Sequence, residues 1–345
     1  MTAQRKSWWI WLKMVVGAAI VLLVGRRFAL DLAQPELYRE AMSPGWLVAA
    51  GILYLGGLGM ACLYWGWLLA RVGPPPEPWN LARAYYLGQL GKYLPGKAIA
   101  LVLRGAMARQ AGVSPGVAGM TAFYEVLTTM TAGALLAAVV FLVQVLCDSA
   151  GGNAEPWNEA WQALVYLQPP EQGLSRAALL VIAVVLVTAC GWPLWPALFN
   201  RLSSGLSLPF RTPGSDLPQI RAGHLVMGLG LGCVGWSLMG LSLAFALSSV
   251  QQASLPWTLP TLADLAASLA ISYVAGFLVL VAPGGLGVRE LFLTWLLTPS
   301  VAAAQALSPE LARGKVVLVV LLLRLAWTLA EVLLAFLLYW IRGKP

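Results

Sequence analysis

Apolar residues run through this chain in long stretches, and the interruptions fall at glycine, proline and charge. The apolar stretches are 8–24, 46–70, 82–111, 116–146, 177–199, 224–248, 262–299 and 315–341. About 20 apolar residues make a helix long enough for a roughly 30 Å hydrocarbon core, so most of these read as membrane spans. Two of them read differently. Segment 82–111 is broken by Pro95-Gly96, and its first half, 82–94, makes only about 20 Å of helix. Segment 262–299 repeats the pattern with Pro283-Gly284, followed by Gly285 and Gly287. Proline lacks the N–H a helix needs, and glycine lets the chain turn. Irregular backbone survives at membrane depth only when buried in protein or lining a wet cavity.

The pattern therefore predicts an all-α polytopic membrane protein with about six full spans and two re-entrant broken-helix hairpins. It forms a single integral membrane domain over 1–345: a first helix and loop (1–45), a first repeat (46–146), a connection (147–223) and an inverted second repeat (224–341). Residues 262–282 are long enough to cross fully, so two crossings are the alternative to a hairpin there. Gly112 is placed to end one half-helix, and Ser114-Pro115 to open the next as N-cap and first-turn proline.

Composition agrees. The 345 residues are 59% hydrophobic and 10% charged, against roughly 25% charged in a soluble domain. Sixteen tryptophans suit interfacial belts, with Trp8, Trp9 and Trp11 near one end and Trp340 near the other. The net charge of +8 is scattered among apolar spans, which argues against nucleic acid as a partner. Cys62, Cys147, Cys190 and Cys233 are far apart, with no metal spacing, and read as packing residues. Segment 8–24 lacks a convincing cleavage site and reads as an uncleaved first helix.

Loop charge sets the orientation. Residues 147–175 hold Asp148, Glu155, Glu159 and Glu171 before any basic residue and are expected outside; 249–262 are also without one. Arg201, Arg211 and Arg221 mark 200–223 as cytoplasmic, as Arg342 and Lys344 mark the C-terminus. Span, broken segment and span then run in opposite directions in the two halves. Arg26, Arg27 and Arg39 fall in an outside loop against the rule, beside Asp31, Glu36 and Glu40.

Ionisable residues within the spans carry the candidate chemistry, because each costs a few kcal/mol unless paired or hydrated. They are Lys92, Lys97, Arg104, Arg289 and Arg324 against Glu125, Glu290 and Glu331. Five cations against three anions suit a phosphate-bearing lipid head group, which arginine binds in a bidentate fork. Arg104 and Arg289 hold corresponding places after the two breaks. The competing readings are an Arg324–Glu331 or Arg324–Glu125 structural ion pair, and Lys92 and Lys97 snorkelling to the interface. The three glutamates are candidates for ion pairing or proton linkage. Pro95, Gly96, Pro283, Gly284, Gly285 and Gly287 are the hinge positions. His224, the one histidine, reads as interfacial, and Gly228, Gly232, Gly235 and Gly240 as close helix packing.

The stretches LGQLGKYLPGKAIALVLRGAMARQAGVS at 87–114 and APGGLGVRE at 282–290 resemble the flippase-like family typified by the membrane region of lysylphosphatidylglycerol synthases. The resemblance covers about 46–341. The chain departs from that family in carrying Val126 after Glu125, and Lys97-Ala98 after the first Pro-Gly. The resemblance implies an inverted-repeat fold and movement of a lipid between leaflets. With no synthase domain following in this chain, it implies no aminoacyl transfer.

The expected function is a flippase-like transporter moving a phospholipid or other anionic or polar-headed envelope lipid between leaflets. The alternatives are an ion-coupled transporter of a small anion or polar solute, and a structural or assembly subunit. No catalytic constellation, cofactor or metal site is expected. The expected partners are the membrane lipid substrate, a second copy of the chain and a lipid-synthesising enzyme. The expected location is the bacterial cytoplasmic (inner) membrane, with both termini in the cytoplasm.

Overall fold

The structure, a computed structural model, describes residues 25–26, 29–33, 42–71, 76–93, 99–108, 113–147, 175–206, 220–250, 253–279 and 287–341. The expected first helix at 8–24 and the hinge residues Pro95, Gly96, Pro283, Gly284 and Gly285 lie outside them, as do Lys97 and Gly112.

The chain is an all-α polytopic membrane protein. Helix α1 is Pro44–Ala70; α2 is Pro78–Gln89, continued by a 3-10 turn Leu90–Tyr93; α3 is Ile99–Ala108; α4 is Pro115–Cys147. Helix α5 is Arg176–Gly191, followed by a 3-10 turn Trp192–Leu194; α6 is Pro196–Leu206; α7 is Ala222–Ser248. Helix α8 is Leu259–Leu278, α9 is Val288–Gln305 and α10 is Pro309–Trp340. Among the described residues, six helices are long and apolar enough to cross a membrane: α1, α4, α5 with its 3-10 turn, α7, α8 and α10.

Local chemistry sets most of the starts. Proline occupies the first helical position of α1, α2, α4 and α10, where its missing N–H is no loss. Ser114, Ser175, Thr258 and Ser308 each accept a hydrogen bond from the backbone N–H three residues on. Two expected boundaries are corrected. The span expected at 177–199 ends at Leu194, because Pro196 forces Trp195 into extended backbone (φ −55°, ψ 122°) and starts a new helix. The span expected from Lys315 begins at Pro309, capped by Ser308, so Lys315 is buried inside a longer helix.

Burial is inverted relative to a soluble helix. On α10, Leu325, Leu329, Leu333 and Phe336 are exposed, whereas Trp327 and Glu331 are buried. An apolar outer stripe over a polar inner face is what lipid as solvent selects. Trp192 and Trp195 stand exposed at the end of α5, as an interfacial belt requires. Cys62 and Cys190 are buried free thiols.

The helices before and after α5 and α6 show matching packing. Helices α1 and α7 are each 27 residues long and run antiparallel, since Ser43 N–H donates to the Ser249 carbonyl (2.9 Å) and Tyr64 OH to the His224 carbonyl (2.9 Å). They cross at their midpoints. A methyl group on Gly57 would stand 2.9 Å from the Gly235 carbonyl oxygen, and one on Gly235 3.1 Å from that of Gly57. The main packing pairs match when α1–α4 are exchanged for α7–α10: α1 on α10 and α7 on α4, α2 on α10 and α8 on α4, α3 on α4 and α9 on α10, α2 on α3 and α8 on α9. Helix α5 packs outside this core on α4 and α8, where Arg176 forks onto Asp264 at 2.9 and 3.3 Å. Inverted repeats of this kind are common in secondary transporters.

The halves differ at the breaks. Helix α2 has 12 residues and cannot cross alone, whereas α8 has 20 and is long enough to do so.

Candidate functional site

Each Pro-Gly falls between two described helices, and the flanking helices meet through the same three residue types. In the first half, Tyr85 and Gly88 of α2 face Arg104 of α3; in the second, Tyr273 and Gly276 of α8 face Arg289 of α9. The Arg104 guanidinium lies 4.0 Å from the Tyr85 ring centroid, and that of Arg289 lies 4.4 Å from the Tyr273 ring. A methyl group on Gly88 would press on Arg104 Cγ at 2.5 Å, and one on Gly276 would press on Arg289 Cγ. The sequence holds a signal for this that the reading above missed. Tyr-x2-Gly-x6-Pro-Gly occurs at 85–96 and again, with identical spacing, at 273–284. Tyrosine supplies a ring face for the guanidinium and glycine leaves room for its stem.

The two arginines then part company. Arg104 is 2% exposed, donates to Glu125 Oε2 at 2.6 Å and to Gln89 Oε1 at 2.6 Å, and lies 5.9 Å from the Trp65 ring. Glu125 is as buried, and Tyr85 and Thr129 donate to its Oε1 at 3.4 and 3.3 Å. This is a sealed ion pair. Glu125 stands eleven residues after the cap serine of α4; eleven residues after the cap serine of α10 stands Val319. Arg289 thus lacks the matching carboxylate. Among the described residues it is paired with no acid and is half-buried; the Nε of either arginine has no hydrogen-bond partner there.

The remaining charges gather on the same side. Lys92, in the 3-10 turn after α2, bonds Glu331 of α10 and donates to Tyr54 OH at 3.1 Å. Tyr54 OH donates to the same Glu331 oxygen. Arg324 of α10 pairs with Glu290 of α9. Lys92 lies within electrostatic reach of Arg289 and Arg324. Under these groups runs an aromatic stack: Tyr54 lies on Trp327 at 4.1 Å and 7°, and Tyr273 leans on Trp327 at 5.7 Å. Trp327 is held by its N–H to Ser242 Oγ (2.9 Å), which donates to the Ala50 carbonyl (2.7 Å).

Three sequence readings are corrected here. Arg324 pairs with Glu290, not with Glu331 or Glu125. Seven residues on one helix are about 10 Å of rise, too far for a direct bond, whereas Glu290 and Arg324 are each fifteen residues from the ends that the α9–α10 turn joins. Glu125 pairs within its own half. Lys92 does not snorkel outward but reaches inward to Glu331. Tyr54, Tyr85, Gln89, Tyr273 and Trp327, none of which ionisable-residue counting finds, complete the two clusters.

Gly287 opens α9 with φ 84° and ψ −47°, and its N–H donates to Glu290 Oε2 at 2.8 Å. The carboxylate therefore caps the helix and neutralises Arg324 at once. Gly287→Ala is expected to destabilise the protein by about 1–2 kcal/mol, since a Cβ disfavours positive φ. Thermal unfolding in detergent measures this, and an unchanged midpoint would contradict it.

No family model, curated protein or solved structure matches the chain.

Proposed function

We propose that the chain is a flippase-like transporter that carries an anionic or polar-headed lipid between leaflets, with the head group held among Lys92, Arg289 and Arg324. The observation that carries this reading is Arg289: a half-buried guanidinium among membrane helices, resting on Tyr273, with no carboxylate among the described residues. A cation in that setting is costly unless an anion completes it, and guanidinium binds phosphate oxygens in a fork. Lys92 and Arg324 stand nearby, and α2, which contributes Lys92 at its end, is too short to seal the core by itself. The inverted pairing of the halves suits alternating access. The resemblance of 87–114 and 282–290 to the flippase-like family points the same way. Loop charge supports cytoplasmic termini, and the resemblance suits the bacterial cytoplasmic membrane.

Arg104, sealed against Glu125, serves structure in this reading, and the head-group ligands are Arg289, Lys92 and Arg324. The test is translocation of tail-labelled phosphatidylglycerol in proteoliposomes. Wild-type protein is expected to equilibrate it across the bilayer, and Arg289→Ala to slow the rate at least about tenfold. Equal rates for wild type, Arg289→Ala and protein-free liposomes would overturn the reading.

The second reading, ion-coupled carriage of a small anion, is favoured by one feature. Glu331, buried at 2% exposure, holds Lys92 and accepts from Tyr54, and a small anion competing for Lys92 would need no hydrocarbon tail beside it. Uptake of a soluble anion driven by a pH gradient, with no lipid movement, would favour it.

A further inference from the structure

The charges around the aromatic stack count the charge of the occupant, an inference that rests on the transport reading above. Among the described residues the cluster holds three cations, Lys92, Arg289 and Arg324, and two anions, Glu290 and Glu331. Among these described residues one positive charge is left over; Lys97 lies outside them. The Arg104–Glu125 pair is neutral and closed. Lys315, also buried on α10, is nine residues from Arg324, about 13 Å of rise, and outside the cluster.

In a membrane interior an unneutralised charge is penalised whichever sign it has. A head group with one negative charge brings the cluster to zero. A dianionic phosphate monoester leaves one negative charge over, and a zwitterion leaves the positive one. The aromatic faces add a second discrimination. An ammonium group would need an open ring, but Tyr54 and Trp327 cover one face of each other, Lys92 stands 5.8 Å from the Tyr54 ring, and Tyr273, itself under Arg289, leans on Trp327. A zwitterionic head thus finds neither a carboxylate to spare nor a π-face.

We propose that the site selects a lipid phosphodiester carrying one negative charge and an uncharged polar remainder, such as a polyol or sugar, and that Arg289, Glu290 and Glu331 set this preference. Arg289 supplies the surplus charge. The two glutamates cancel the other cations and so exclude dianions.

The experiment compares three tail-labelled lipids in the same proteoliposomes at about pH 8, where a phosphate monoester is close to dianionic. The lipids are phosphatidylglycerol, phosphatidate and phosphatidylethanolamine. In wild type the first is expected to cross at least about tenfold faster than either of the others, the factor that about 1.4 kcal/mol of discrimination gives. Glu331→Gln and Glu290→Gln, each adding one positive charge, are expected to shift the ratio toward phosphatidate. Arg289→Gln, removing one, is expected to shift it toward phosphatidylethanolamine. With the protein-free rate subtracted, ratios between lipids do not depend on how much protein is folded, so partial loss of fold in one variant does not mimic the result. Equal wild-type rates for all three lipids would overturn the selectivity while leaving transport intact. Ratios unchanged in all three variants would overturn the charge assignment. Movement of none of the lipids would overturn both. Uptake of labelled inorganic phosphate by liposomes that move no lipid would assign the site to a free anion and overturn the lipid form.

Discussion

Glu125→Ala is expected to destabilise the protein by about 3–5 kcal/mol, the largest single effect in the molecule. Arg104 is 2% exposed and keeps Gln89 and the Tyr85 ring, but neither carries a negative charge. Removing the carboxylate leaves a buried guanidinium uncompensated. Removing both charges is different, because a buried pair replaced by apolar groups of similar size is often neutral. The double variant Arg104→Met with Glu125→Leu should therefore unfold closer to wild type than Glu125→Ala does. Thermal unfolding in detergent reads both. If Glu125→Ala melts with the wild type, the pair is not sealed from water as described.

Gly240→Val is the second large effect. Helices α7 and α8 meet so closely there that a methyl group on Gly240 would lie 2.5 Å from Ala266 Cβ, 2.6 Å from its Cα and 2.9 Å from its N. No side-chain rotation relieves a clash with backbone, so the helices themselves must part. Overpacking usually costs about 1–3 kcal/mol, and valine at this crossing should reach the top of that range or pass it. Gly230, with open space around its would-be Cβ, is the control: Gly230→Ala on the same helix should leave the melting temperature within a degree or two, about 0.5 kcal/mol. Equal melting temperatures for Gly240→Val and the control would contradict the packing of α7 on α8.

Much of this was legible before any coordinates. The long apolar runs and scarce charge lead directly to membrane helices, because lipid admits few other ways to satisfy a backbone. Ser114-Pro115 opens a helix by its own chemistry, and α4 begins there. The charged residues that matter were visible as exceptions within apolar runs. Their partners were not, because a partner is chosen across helices and periodicity speaks only of faces within one. Glu290 and Arg324 found each other through the length of a turn, and Lys92 found Glu331 by crossing between halves. Tyr85 and Tyr273 were missed although their spacing to Pro-Gly repeats residue for residue. An aromatic residue in an apolar run carries no cost that draws attention.

What the residue order alone determines is the solvent: a chain this apolar folds as helices in lipid. What only the tertiary structure decides is which arginine meets an acid. Arg104 and Arg289 each come after the same Tyr-Gly-Pro-Gly pattern, yet one meets Glu125 and the other meets no carboxylate among the described residues. The reason is electrostatic and three-dimensional: a charge in lipid is defined by its neighbours in space, and those come from helices that the sequence sets far apart.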